Sequence, residues 1–166
     1  TDRQHLVERG QTLFGGLDNS LRYGNLELSF FFQFVKQTAY LFSYGSSATP
    51  GGLSNQPSAY QGQYWSQPGD IKPYQRLTTG ANSAATAAFS NYYYSDRSIG
   101  DASFVRLRNV SLAYRNQKLI PGKSLRIYFQ GQNLWTITNY FGMDPQTAAN
   151  VLPPLQTFTL GLQLSL

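Results

Sequence analysis

Leu155-Gln156-Thr157-Phe158-Thr159-Leu160-Gly161-Leu162-Gln163-Leu164-Ser165-Leu166 is the stretch that decides how the rest of the chain is read. Phe158, Leu160, Leu162, Leu164 and Leu166 share one parity, and Thr157, Thr159, Gly161, Gln163 and Ser165 share the other. Successive side chains of a strand point to opposite faces, so the pattern predicts a β-strand with an apolar side and a small polar side. A tilted strand of roughly 9–11 residues crosses a bilayer, and this stretch is long enough. A soluble sandwich strand alternates in the same way, so both a sandwich strand and a membrane-barrel strand fit this stretch taken alone.

The composition leans one way. The chain has 166 residues, enough for one ordinary domain. It begins at Thr1 without an initiator Met or a signal sequence, so further residues are expected upstream. Only 13% of residues are charged, against about 25% in a typical soluble domain. Gly, Ser, Thr, Asn, Gln and Tyr take their place, and these suit a barrel lumen and its loops. No apolar run approaches the roughly 20 residues of a membrane helix; the longest, Phe30-Phe31-Phe32, is a strand fragment. A membrane, if met, is therefore met by β-structure. The lack of cysteine excludes disulfide frameworks, Cys-rich metal sites and thiol nucleophiles. Arg106, Arg108, Arg115, Lys118, Lys123 and Arg126 cluster around one turn within a net charge of +5. No nucleic-acid-binding module accompanies them, so the expectation is a solvated turn with flanking lumen charges and no nucleic-acid partner.

Five antiparallel strands are expected, near 12–23, 26–43, 101–114, 124–138 and 155–166, with long loops at 44–100 and 139–154. Gly24-Asn25 is a hairpin signal, because both residues tolerate positive φ. Leu26, Leu28, Phe30, Phe32 and Phe34 then line one side, a Phe-rich face that invites aggregation in water. In 101–114 the parity slips between Val105/Leu107 and Val110/Leu112/Tyr114, and a β-bulge near Arg108-Asn109 would return both sets to one face. Residues 115–123 read as a polar turn with Pro121-Gly122. Short and long connections alternate, as in outer-membrane barrels with short periplasmic turns and long extracellular loops. Tyr23 and Tyr114 at one rim, and Phe42, Phe104, Trp135, Tyr140 and Phe141 at the other, would form aromatic belts. The long loop from 44 to 100 is expected to be irregular, with at most a helical turn around Ser83–Ala88.

The second half also resembles a known family. Residues 95–114, from Ser95-Asp96-Arg97-Ser98-Ile99-Gly100-Asp101 through Phe104-Val105-Arg106-Leu107-Arg108-Asn109 to Tyr114, resemble the late-barrel signature of SusC/RagA-type TonB-linked outer-membrane proteins. Leu125–Trp135 is similar to the next strand of that family, Gly142-Met143-Asp144-Pro145 to its following loop, and Thr157–Leu162 to its closing strand. Leu28–Gln33 resembles an earlier strand. Leu166 stands where the family usually ends on an aromatic residue. The resemblance implies an all-β fold: the C-terminal antiparallel strands of a large transmembrane β-barrel of about 22 strands. It implies nutrient import across a bacterial outer membrane, for an oligosaccharide or a peptide. The implied partners are outer-membrane lipid, a SusD-like surface lipoprotein, the remainder of the barrel, and the TonB complex acting through segments outside these residues. Phe158, Leu160, Leu162, Leu164 and Leu166 would be the membrane-facing side of the assembly strand. The competing reading is a soluble or surface-attached β-sandwich that binds glycan through its long aromatic loop; it would be monodisperse in plain buffer and unfold cooperatively.

The residues point to no catalytic, metal or cofactor chemistry. His5 is the single histidine, and neither a metal triad nor a Ser-His-Asp set can be built around it. Asp70, Asp96, Asp101 and Asp144 all fall in loops, where turn-forming Asp is common. Asn109-Val110-Ser111 matches a glycosylation sequon inside an expected strand and is read as chance. Tyr and Trp carry flat apolar faces with polar tips, suited to stacking on sugar rings or anchoring a partner. Most loop aromatics are expected to pack the loops on themselves. Those that would form a ligand surface are Tyr60, Tyr64, Trp65, Tyr92, Tyr93 and Tyr94.

Overall fold

The structure is a computed structural model that describes residues 6–41, 51–52, 56, 58–120, 123–140, 142–147 and 152–165. Its strands are β1 (Gly10–Tyr23), β2 (Leu26–Tyr40), β3 (Ile99–Asp101), β4 (Phe104–Ile120), β5 (Lys123–Thr138) and β6 (Thr157–Ser165). All belong to one sheet of order β1-β2-β4-β5-β6, with short β3 added beside the end of β2. One helix, α1 (Ser83–Tyr93), interrupts the connection between β2 and β3. The chain divides into two compact units. The sheet unit holds Gln11–Gln37, Ser103–Asn139 and Pro153–Leu166; the loop unit holds Thr1–Gly10, Thr38–Ala102 and Tyr140–Leu152.

In the sheet unit the register builds one apolar face. Phe30 pairs with Val110, Phe32 with Leu107 and Phe34 with Val105. The same rows continue through Leu112↔Phe129 and Leu107↔Trp135 to Phe129↔Leu160 and Ile127↔Leu162. Paired residues of antiparallel strands stand on the same side, so these rows form one surface. Phe30 meets Phe32 edge-on at 5.8 Å, and Phe129 stacks on Phe158 at 6.0 Å. Among the described residues nothing covers the far end of this face: Leu160 and Leu162 are 76% and 72% exposed.

The parity slip resolves as a bulge at Arg108. Phe31 pairs with Asn109 and Phe32 with Leu107, so the β2–β4 register steps over Arg108 of β4. The β4–β5 register shifts at the same place. The extra residue returns Val105 and Leu107 to the side of Val110 and Leu112, as the hydrophobic pattern requires.

The Gly24-Asn25 turn lies where the hairpin signal places it, whereas most of the polar stretch 115–123 is not a turn. At Gly24-Asn25 only Gly24 takes positive φ, at +57°; among the described residues Asn133 is the one non-glycine that does so. The glycine alone therefore supplies the left-handed step. The polar stretch 115–123 is mostly strand, because β4 runs to Ile120 and β5 starts at Lys123. Arg115 pairs with Arg126 and Asn116 with Leu125, so the ladder continues through these polar residues. Pro121 and Gly122 lie outside the described residues.

The aromatic belts are also corrected. Tyr23, Tyr114 and Trp135 are exposed, but Phe104 is 3% exposed and Tyr140 is buried. Phe104 shares the parity of Arg106, two residues on, and so turns to the polar side of β4. The Tyr140 hydroxyl donates to the Tyr40 carbonyl oxygen at 2.7 Å within the loop unit. Phe42 and Phe141 lie outside the described residues.

The loop unit has a core of its own kind. Tyr60, Ala85, Phe89, Ala102 and Tyr140 are buried in it. The helix begins where Asn82 caps it, its side-chain oxygen accepting from the Ala85 N–H at 3.0 Å. Alanines fill the first turns, and Ala85 and Phe89 stand one turn apart on the buried side. The helix ends at Tyr93, where the Ser95 N–H and hydroxyl both donate to the Tyr92 carbonyl oxygen. Among the described residues no helix is long and apolar enough to cross a membrane, which does not bear on strands.

Candidate functional site

The sheet unit's second face is polar and organised around two arginines. Arg106 is 1% exposed, so it is buried and not solvated as its charge alone suggested. Its Nε donates to Thr136 Oγ1 at 2.8 Å, and its guanidinium lies 5.1 Å from the Phe104 ring centroid. Arg108, the bulge residue, donates from Nε to Gln33 Oε1 at 2.7 Å and from Nη1 to Asn133 Oδ1 at 2.9 Å. Asn133 sits at φ +53° and passes the link on, its Nδ2 donating to the Leu155 carbonyl oxygen at 3.1 Å. One hydrogen-bonded chain thus ties β2, β4 and β5 to the residues leading into β6. On β6 the face is kept low by Gly161: a Cβ there would come within 2.2 Å of Tyr128 Cζ. Tyr128 in turn carries the Arg126 guanidinium 5.2 Å from its ring centroid.

The expected ligand aromatics are divided by the loop unit. Tyr60 is 3% exposed and packs edge-on against Tyr74 at 4.5 Å. Burial, reinforced by Tyr74 and Tyr92, pushes its hydroxyl up to about 12. It is an interior residue, and its ring offers no open face. Tyr64 forms an isolated bridge with Tyr74. Tyr93 stacks on Tyr40 at 5.7 Å and meets Tyr94 edge-on at 5.2 Å. Tyr92 is half-buried and Tyr94 is exposed. Trp65 lines a groove.

That groove has a volume of about 470 Å³ and is open to solvent. Trp65, Tyr74 and Pro73 line it with Lys72, Gln75 and Arg76, and the first turns of α1 complete the wall through Asn82, Ala84, Ala85 and Ala88. The Trp65 N–H donates to the Tyr74 carbonyl oxygen at 2.9 Å, and the Tyr74 N–H donates to the Gln63 carbonyl oxygen at 3.2 Å. These bonds hold the two extended segments side by side. The Arg76 guanidinium lies 5.8 Å from the Trp65 ring centroid, within cation–π range. Lys72 Nζ donates to the Gly62 carbonyl oxygen at 3.0 Å. The Gln75 Nε2 is buried without a hydrogen-bond partner. Close by in sequence, Asp70 Oδ2 accepts from the Ser66 N–H, the Ser66 hydroxyl and the Gln67 N–H at 2.9, 2.8 and 3.1 Å. The Ser66 bonds, then Gln67 and the charge of Lys72, hold its carboxyl below the ordinary carboxylate value.

Lys72, Gln75 and Arg76 were not singled out by sequence reasoning. The available signal was two cations flanking an aromatic at alternate positions, in a segment that Pro73 keeps extended. The Gly142-Met143-Asp144-Pro145 loop is closed by the buried Asp144, whose Oδ1 accepts from the Gln146 and Thr147 N–H groups at 2.9 and 3.3 Å. Burial, and then Asp144, raise the Tyr140 hydroxyl above its ordinary value. Of the expected apolar edge, Phe158, Leu160, Leu162 and Leu164 lie exposed on β6; Leu166 lies outside the described residues.

Known proteins resemble this chain in sequence and in fold. TonB-dependent receptor P3 of Formosa agariphila is 28% identical over 90% of the chain, and TonB-dependent receptor SusC of Bacteroides thetaiotaomicron is 33% identical over 55% of it. The RagAB peptide importer in its open-open state superposes with a TM-score of 0.67 at 20% identity over 95% of the chain, and a second structure of the RagAB peptide transporter with 0.64 at 22% identity over 91%. The chain is similar in sequence and in fold to SusC/RagA-like TonB-dependent proteins. Its strands take the fold of that transporter barrel. No family model matches the chain. The chain spans 16% and 12% of the lengths of the two curated relatives, and 17% of each superposed structure.

Proposed function

We propose that these residues form wall strands and outer loops of a TonB-dependent importer in a bacterial outer membrane. The observation that carries this is the sheet unit's inverted polarity. Leu160 is 76% exposed on one face while Arg106 is 1% exposed on the other. A single sheet in water would be expected to cover its apolar side and hydrate its cations. The opposite arrangement fits hydrocarbon outside and a polar lumen inside. In this reading the short turn after β1 and the one after β4 are periplasmic, and the long connections after β2 and β5 are extracellular. Tyr64, Trp65, Tyr92 and Tyr94 face a large ligand, a glycan or a peptide, under a SusD-like lipoprotein. TonB supplies energy through parts of the protein that its relatives have beyond the matched segment.

The sandwich reading needs a second sheet packed on the apolar side. All strands among the described residues belong to one sheet, which favours the barrel. The test is uptake in cells carrying the intact protein, compared with cells lacking it and cells lacking TonB, across labelled glycans and peptides. Import requires uptake that is lost in both deletions, and a protein found in the detergent-soluble outer-membrane fraction. A water-soluble monomer with unchanged uptake would overturn it.

A further inference from the structure

The groove beside α1 carries more chemistry than a stacking surface needs. Its charged lining residues, Lys72 and Arg76, are both cations, and among the described residues no Asp or Glu lines it. The neighbouring carboxylate, Asp70, is turned into its own loop and satisfied there by three hydrogen bonds. The N-terminal turn of α1 stands in the same wall and adds the positive end of the helix dipole. These three features select for negative charge. Trp65 adds an aromatic ring, and the Gln75 amide nitrogen adds a donor that the protein leaves without a partner.

The shape selects further. Pro73, Ala84, Ala85 and Ala88 line it with small apolar groups. The Trp65 N–H and the Tyr74 carbonyl oxygen are already paired with each other. A ring bearing an acidic group fits this lining, its face against Trp65 and its charge against Lys72 and Arg76.

We propose that this groove is a subsite for an acidic oligosaccharide, whose carboxylate pairs with Lys72 and Arg76 while a ring face lies along Trp65. The Gln75 amide nitrogen turns to donate to a sugar hydroxyl. This rests on the import reading above, which supplies the ligand's reason to be there.

The intact protein in detergent is titrated calorimetrically with trigalacturonate, maltotriose and triglutamate. Trigalacturonate binds at least about tenfold more tightly than either of the others, a difference near 1.4 kcal/mol. The Lys72→Met/Arg76→Met double variant loses that preference, and raised salt weakens it. Lys72→Met alone, at an exposed side chain, loses a few-fold of it, so a misfolded double variant does not leave the matter open. Equal binding of triglutamate overturns the choice of a sugar. Trigalacturonate binding no tighter than maltotriose, or unchanged in Lys72→Met, overturns the site. TonB-dependent uptake of an acidic glycan that ignores both variants removes the groove and leaves import standing. Groove binding without any TonB-dependent uptake removes import and leaves the groove.

Discussion

The two units of this chain obey opposite rules of burial. In the loop unit, Tyr60 and Phe89 are inside while Lys72 and Arg76 are in contact with solvent, as expected of protein folded in water. In the sheet unit, Arg106 is inside while Phe158, Leu160 and Leu162 are outside. One sequence cannot prefer both arrangements in one solvent. Under the import reading the strands and the loops meet different surroundings, and solvent, as much as residue type, decides what counts as a core.

The comparison can be broken most sharply in the loop unit. Tyr60→Ala should cost that unit about 3–5 kcal/mol, the usual loss for a large buried ring. Faster hydrogen exchange across residues 58–98 of the intact protein would register it; unchanged exchange would mean that this unit has no water-type core. In the sheet unit, Leu160→Arg should cost ~2–4 kcal/mol if the residue sits near the bilayer midplane. Thr159→Arg, one residue away on the polar face, should cost far less. Urea unfolding of the vesicle-reconstituted protein compares them, and equal losses would erase the distinction between faces.

A smaller effect sharpens the polar face. Arg108→Ala removes both charge-assisted hydrogen bonds of the bulge and should cost about 1.5–3 kcal/mol. Arg108→Lys, without the forked geometry, should recover only part of this. The smallest effect lies in the Ser66–Asp70 turn. Asp70 is held below the ordinary carboxylate value in the fold, so its contribution is present above that value. It is lost as pH falls through the lowered folded value, and Asp70→Asn removes it at neutral pH. Protease cleavage near Ser66 should rise slightly in acid for the native protein, and should not change with pH in the variant.

Much of the sheet was legible because strands write their faces into alternate residues. The Phe158–Leu164 alternation gives β6, and the slip between Leu107 and Val110 locates the bulge that the register shows at Arg108. Errors arose where one property stood for another. Polarity in 115–123 was read as a turn, although a ladder in water can carry polar residues. Phe104 was read as a rim aromatic from its place near a strand end, although its parity already set it beside Arg106. Charge was read as solvation at Arg106, because sequence does not show that Phe104 and Thr136 enclose it. The groove was less legible still. Its walls come from residues 65, 72–76 and 82–88, and no spacing rule brings them together; the pairing of Trp65 with Tyr74 and the cap at Asn82 do that.

The most direct measurement uses the adjacent residues Leu160 and Thr159, which point to opposite faces of β6. An environment-sensitive fluorophore is attached through a cysteine at each position in turn, in the intact protein reconstituted into vesicles of brominated lipid. Strong quenching and a blue-shifted spectrum at 160, with neither at 159, is the predicted result. Equal behaviour at both positions, or a probe at 160 that senses water, would contradict the claim that this face of the sheet meets hydrocarbon.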